Sequence, residues 1–416
     1  MPNGQPRIRT EAHENQLVVD LKQVDETLDI LNSIQVSWSG VSKNHTLGLA
    51  LVTLEDVSVP ADYLGAPGKS DLDRLISYLR DAFRNEGKEL IIGKNRIVGS
   101  VVGSPYVGGG EGIPTPYVGG GTGVPTPYVG GGPYTAAGGG PYVGGGQSGL
   151  QLTLGGTLPR RTEPPGKGVG VGILDTRLFA HPDLAGRYLA SHGTLASENP
   201  ARPPDQEAHA TFIAGVVLEW APNATLVVDH VLNEEDIATS SWRVATRMAR
   251  FADAGVTVLN ISFGAATEDD KPPLVLTRAV EVLNKHGVVV VAAAGNHGPS
   301  KRKIWPAALH EPSANVVAVG AGTNSGGQFV SAKFSPKASW VDLIAPGEYI
   351  LSTYKASGYA TWSGTSFATA AVSGAIAYLI ETAGITAEKA VAWLMTPPTD
   401  RKDPAVAAVM DDIGPL

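Results

Sequence analysis

Cysteine is missing from all 416 residues. That one absence removes disulfides, thiolate zinc sites and cysteine nucleophiles together. The net charge is −8 at pH 7, and an acidic balance without a long Lys/Arg tract argues against nucleic acid or an anionic membrane as the main partner. Long apolar runs are lacking too: the longest, Val288 to Ala294, falls far below the roughly 18 residues of a membrane-spanning helix. Met1 to Gln16 is polar, without the apolar stretch of a secretory leader, so the expected location is the cytoplasm. Aromatic residues make up only 6% of the chain, yet 43% is hydrophobic, enough for a sizeable core shared among two or three domains.

What is present falls into three regions. Residues 1–104 read as a small α+β domain. Leu17 to Leu21 is a strand, Val24 to Ile34 a helix, and Thr46 to Leu54 a second strand. Ser70 to Asp73 is a helix start with a capping acid, followed by a 3,4-spaced stripe of Leu72, Leu75, Ile76, Leu79 and Phe83. Leu90-Ile91-Ile92 and Ile97-Val98 flank Gly93-Lys94-Asn95-Arg96 as a hairpin. No catalytic set converges here, which suits a binding, inhibitory or chaperoning role.

Residues 105–149 repeat Pro-Tyr-Val-Gly-Gly-Gly from Pro105, Pro116, Pro127 and Pro141, with a degenerate copy at Pro133-Tyr134-Thr135. Units this short and Gly-rich bury no shared core and read as a flexible tether, with ends roughly 35–40 Å apart. The sharper alternative takes the Tyr-Val repeats as docking or self-cleavage sites. A partner is recruited, if at all, by residues 1–104 or by this linker.

Residues 150–416 alternate apolar strands with helices. The strands are Gly168–Leu174, Thr225–Val231, Val256–Ser262, Val288–Ala294 and Val316–Ala321; the helices are Ala208–Leu218, Trp242–Ala254 and Leu274–His286. This is the pattern of a parallel sheet covered by helices on both faces, whose functional groups gather at the carboxyl ends of the strands. Asp175, Ser262 and Asn296 stand at such ends.

Four residues there have chemical potential. Ser366 follows the turn Ser363-Gly364-Thr365 at the start of a helix of small residues, where free amides and the helix dipole favour developing negative charge. By itself it is equally a cap on a core helix. Asp175 closes Val171-Gly172-Ile173-Leu174 and reads as a rim carboxylate or a loop acid. His209, alone among nine histidines, heads a small-residue helix, Ala210 to Gly215. Asn296, within Ala293-Ala294-Gly295-Asn296, ends a buried strand in a Gly-flanked turn that Asn also occupies for structural reasons alone.

The order Asp, His, Ser and the surrounding blocks resemble the subtilisin family (subtilases) across residues 167 to about 395. The matching blocks are Val171 to Thr176, the His209 helix, Asn260-Ile261-Ser262-Phe263-Gly264, Ala293 to Asn296, Ala345-Pro346-Gly347 and Gly364-Thr365-Ser366. The resemblance implies a serine endopeptidase acting on proteins or peptides without a cofactor. Ser366 is then the nucleophile, His209 its base, Asp175 the group that orients the imidazole, and Asn296 the oxyanion donor. Ser262, Phe263 and Gly264 are implied as an edge for the substrate backbone. Ala293, Ala294 and Gly295 are the facing wall, and Ile304 lies near the base of the pocket between them.

There are departures from the family pattern. Arg177 replaces a glycine, Phe212 stands where many members have histidine, and Ala370 and Ala371 replace Pro-His. The passage from the His209 helix through Ala221-Pro222-Asn223 into the next strand is too short for the family's calcium loop. Asp183 is left as a ligand without partners, and no metal is expected. Two roles for residues 1–104 stay open, a propeptide that is removed and a retained recruitment domain. A catalytically silent peptide-binding scaffold is the alternative to a protease.

Overall fold

A computed structural model describes residues 12–61, 63, 70–100, 168–191, 193–196, 205–232, 238–309, 315–325, 328–354 and 358–396. The repeat linker and the tether distance lie outside these residues. The front unit runs β1 (Ala12–Asp20), α1 (Val24–Ser33), β2 (Trp38–Asn44), β3 (Leu49–Leu54), α2 (Asp71–Asn85) and β4 (Ile92–Ser100). Its antiparallel sheet has the order β4-β1-β3-β2. The α2 stripe is buried against this sheet as the spacing predicts, and the Ser70 side chain accepts the Asp73 N–H at 3.2 Å.

Two expectations fail in this unit. The segment read as one strand from Thr46 begins with a turn at Gly48 (φ +64°), and the true partner, β2, carries no fully buried side chain and so gives no hydrophobic signal. The expected hairpin around Gly93 to Arg96 is instead one continuous strand, β4. Its polar residues mark neighbours rather than a turn: Lys94 pairs with Asp73 at 2.8 Å, and Asn95 is buried between Gln16 and Ser241.

The larger unit contains β5 (Gly170–Asp175), β6 (Leu178–Phe179), β7 (Tyr188–Ala190), β8 (Leu195–Ala196), α3 (His209–Trp220), β9 (Thr225–His230), β10 (Ala238–Ser240) and α4 (Ser241–Arg250). It continues through β11 (Val258–Ile261), β12 (Phe263–Gly264), α5 (Leu274–Lys285), β13 (Val289–Ala293), β14 (Val316–Ser325), β15 (Gln328–Ser331) and β16 (Leu343–Pro346). A hairpin of β17 (Ile350–Tyr354) and β18 (Gly358–Trp362) then leads into α6 (Thr365–Ala383) and α7 (Ala387–Met395). The main sheet has the order β15-β14-β13-β11-β5-β9-β7, with β16 beside β14, and every pairing except β14–β15 is parallel.

Strand periodicity divides the core into two layers. Val171, Ile173, Val258, Val289 and Val291 face α3, α6 and α7, while Leu174, Leu259, Ile261, Val290 and Ala292 face α4 and α5. Small residues let α3 and α6 approach closely. A Cβ on Gly374 would stand 2.6 Å from Trp220 Cβ and 2.8 Å from the Val217 carbonyl oxygen. Helix α6 is the one helix among the described residues long and apolar enough to cross a membrane, but 72% of its most apolar window is buried inside this fold.

Near the end of α3, burial raises the Glu219 carboxyl to about 7. The folded state therefore binds a proton that the unfolded chain has already released, so stability falls as pH rises from about 4.5 to 7 and the penalty is complete above that. Glu219→Gln is expected to be more stable than the parent above pH 7, by on the order of 1–3 kcal/mol, and equal to it below pH 4. Urea unfolding at the two pH values measures this.

Candidate active site

Each candidate side chain sits where a strand or helix ends. Asp175 is the last residue of β5 and is fully buried. Its Oδ1 accepts the Thr176 N–H at 2.7 Å and stands 2.7 Å from His209 Nδ1. A carboxylate oxygen accepts, so Nδ1 carries the proton of this contact and Nε2 is left as the acceptor nitrogen of the neutral ring. Thr176 fixes the helix that carries the imidazole: its Oγ1 donates to the Glu207 carbonyl at 3.0 Å and accepts the Ala210 N–H at 3.0 Å. Edge-on contact with Trp362 at 5.6 Å and tilted contact with Phe367 at 5.7 Å close the ring in. Phe212, where histidine is usual in the family, packs on Phe367 at 4.5 Å.

Ser366 occupies the first turn of α6, whose apolar body pushes against the sheet. Its hydroxyl donates to the Ser262 carbonyl at 3.0 Å, and the Ser262 hydroxyl donates to the Ser366 carbonyl at 3.1 Å. This reciprocal pair extends into a buried polar chain: Asn260 Nδ2 donates to Ser262 Oγ at 2.8 Å, and Ser373 Oγ donates to Asn260 Oδ1 at 3.1 Å. The chain bolts the start of α6 to the end of β11. No hydrogen bond joins Ser366 to His209, and Nε2 is buried without a hydrogen-bond partner. The structure thus brings Asp175 and His209 into direct contact and leaves Ser366 turned toward Ser262. Hydrogen bonds between a nucleophile and its base often tighten only in the substrate complex.

Asn296 is buried beside the same turn. The Thr365 N–H, which can only donate, stands 2.9 Å from Asn296 Oδ1. The side-chain NH₂ therefore faces the other way, and it lies near Gly364, 3.4 Å from where a Cβ would be. The Thr365 hydroxyl accepts the Gly295 N–H at 3.1 Å, so the Asn296 turn and the serine turn hold each other. Gly295 has φ +99°, and a side chain there would strike His297 and Ile304. Asp183, which matches a ligand of the family's calcium site, accepts a hydrogen bond from the Tyr359 hydroxyl. Among the described residues no group of three His, Cys, Asp or Glu is placed to hold a metal.

The edge Ser262 to Gly264 is not vacant. Strand β4 of the front unit lies against it, antiparallel, with Phe263 opposite Ser100 and Gly264 opposite Gly99. On its other side β4 pairs with β10: Ala238 with Gly99, Thr239 with Val98, Ser240 with Ile97. Residues 97–100 thus form the middle strand between two strands of the larger unit. Asn95 secures the join by accepting the Ser241 hydroxyl at 3.0 Å and the Trp242 N–H at 2.9 Å at the start of α4. Sequence reasoning missed β10, the occupant of the edge, and Thr176, Asn260 and Thr365 as positioning groups. Asn260 alone left a signal, as a lone amide in an otherwise apolar strand.

A hydroxyl at a helix start, an imidazole oriented by a carboxylate, and a neighbouring amide donor are the groups that acyl transfer requires. Fold and site together define a class, the subtilisin-like α/β proteins with a parallel sheet and helices on both faces. The chain belongs to the subtilase family of serine proteases, and the match to that family spans residues 166–409. An alkaline protease of Alkalihalobacillus alcalophilus is 36% identical over 223 residues, which are 51% of this chain and 54% of that protein. Against that relative the match spans only about half of its length, 54%. Subtilisin BL of Lederbergia lenta is also 36% identical over 223 residues, covering 51% of this chain and 76% of that one. The fold is similar to that of fervidolysin from Fervidobacterium pennivorans, a keratinolytic enzyme related to subtilisin. That likeness has a TM-score of 0.59 at 18% identity and covers 95% of this chain and 59% of the other.

Removing the amide of Asn260 takes one hydrogen bond each from the buried hydroxyls of Ser262 and Ser373, which keep the Ser366 and Thr369 carbonyls as acceptors. Asn260→Ala is expected to cost about 1–3 kcal/mol, read as a lower urea midpoint with an unchanged slope.

Proposed function

We propose that the chain is an endopeptidase using Ser366, His209 and Asp175 as its triad and Asn296 as oxyanion donor. The observation that carries the reading is the His209–Asp175 contact at 2.7 Å, with the remaining ring nitrogen buried, unpaired and close to the start of α6. Ser366 Oγ attacks the scissile carbonyl as His209 Nε2 takes its proton; the C–N bond breaks and the amine leaves with that proton. Water then attacks the acyl-serine by the same route in reverse and frees the acid. Asn296 and the Ser366 N–H stabilise the oxyanion in both steps.

The same reading gives residues 97–100 a restraining role. They lie where a substrate backbone would add to the Phe263–Gly264 edge, a β-augmentation mode, and while they are there the groove is filled. Support for an inhibitory rather than a recruiting domain comes from this pairing and from the buried Asn95 join.

Ser366→Ala is expected to abolish labelling by a fluorophosphonate probe and to lower kcat by about 10⁶, and Asn296→Ala to lower it by roughly 10²–10³. Absence of labelling in the parent at any pH defeats the protease reading and leaves the silent peptide-binding scaffold. For the restraint, the N-terminus of incubated protein is mapped by mass. Loss of the Met1 end as activity appears is expected, and full activity with Met1 intact overturns removal.

A further inference from the structure

The groove itself carries information about what it accepts. Between its two walls stands Ile304, 2% exposed. A Cβ on Gly264 would lie 2.5 Å from one Ile304 methyl, and a Cβ on Gly295 would lie 3.2 Å from Ile304 Cγ1. A branched side chain therefore fills space between the Gly264 wall and the Gly295 wall, where the primary pocket was expected. Trp305 holds it there through paired backbone hydrogen bonds with Ala265 at 2.8 and 3.0 Å.

The bound strand shows the other preferences. Val98 is fully buried in the apolar cluster that includes Val244, Ala245, Met248, Phe263 and Ala265. The next two residues, Gly99 and Ser100, run along Gly264 and Phe263. A substrate that continued this register by one step would set its next residue opposite Ser262, whose carbonyl receives the Ser366 hydroxyl. The groove thus reads an apolar residue, valine, two small residues, and then the residue beside Ser366.

That pattern recurs four times directly downstream, as Tyr106-Val107-Gly108-Gly109-Gly110, Tyr117 to Gly121, Tyr128 to Gly132 and Tyr142 to Gly146. In each copy valine aligns with Val98, two glycines with Gly99 and Ser100, and a third glycine follows. Each copy thus offers a glycine for the position that Ile304 lines.

We propose that this groove selects small residues at its primary position through Ile304, and that the Tyr-Val-Gly-Gly-Gly repeats of the same polypeptide are its substrates, cut after the third glycine. This rests on Ser366 acting as the nucleophile. In each cut the bond from Ser366 Oγ to the glycine carbonyl carbon forms as the peptide C–N bond breaks, the following residue leaves as an amine, and one water releases the glycine carboxylate. The copy ending at Gly132 precedes Pro133, which has no N–H and a rigid ring, and is expected to be cut least.

The test mixes the full chain, in catalytic amount, with full-length Ser366→Ala as substrate and maps the products by mass. In parallel the full chain is offered the peptide Thr-Pro-Tyr-Val-Gly-Gly-Gly-Thr-Gly-Val and versions with Ala, Leu or Phe at the third glycine. New ends after Gly110, Gly121 and Gly146 are expected, with kcat/KM at least about 100-fold lower for Phe than for Gly, in keeping with the loss of a few kcal/mol. Ile304→Gly is expected to raise the Phe-to-Gly ratio at least about 10-fold; the peptide series on the unmodified chain decides the matter even if that variant fails to fold. Fluorophosphonate labelling without these cuts, or with the Phe peptide processed as fast as the Gly peptide, overturns the inference and spares the protease reading. Loss of labelling itself overturns both.

Discussion

The arrangement of this molecule depends on two helices that meet nearly backbone to backbone. His209 heads α3 and Ser366 begins α6, and among the described residues no hydrogen bond joins the two side chains. Their approach is possible because Gly374 presents only a hydrogen to Trp220 and Val217. On the far side of α3, Gly215 does the same for Ser352 and Thr353, whose hydroxyls donate at 2.7 Å to the Phe212 and Thr211 carbonyls. Dense packing of small residues leaves little freedom for sliding, and the chemical groups inherit that precision. The run of Ala, Gly, Ser and Thr along α6, unsuited to any surface, is the condition for the site.

Polar groups at the rim are organised on the same plan. The buried carboxylate of Asp175 is set by the Thr176 N–H, and Thr176 in turn sets the helix that presents the imidazole. The Asn260–Ser262–Ser366 chain ties α6 to β11, and the Thr365–Asn296 pair ties it to the end of β13. Three neighbouring strand ends are thus joined to two helix starts by hydrogen bonds that bypass solvent. Buried networks of this kind matter most when complete, since a single missing partner strands the rest.

Much of the larger unit was legible in the sequence because parallel strands buried on both faces read as apolar runs, and because Asp175, Ser262 and Asn296 close such runs. The positions of the helices α3, α4, α5 and α6 followed from the same alternation. Short strands left no trace: β10 and β12 have three and two residues, and their partner β4 belongs to the other unit, so no local pattern announces the pairing. Strand β4 was misread for a related reason. Gly93-Lys94-Asn95-Arg96 is a turn by composition, but Asp73, Gln16 and Ser241 satisfy its polar side chains within an extended strand. Tertiary partners, not local propensity, decided both cases.

From these parts comes a single picture in which the front unit does not merely precede the protease fold but supplies the strand that pairs with its Phe263–Gly264 edge. Amide hydrogen exchange in the full-length Ser366→Ala chain, which is unable to cut itself by this route, tests that picture most directly. The account predicts slow exchange at both 97–100 and 263–264, and loss of protection at both in a Val98→Asp background while β1 and β3 stay protected. Fast exchange at 97–100 in the parent, or protection at 263–264 that ignores the Val98 change, would contradict it.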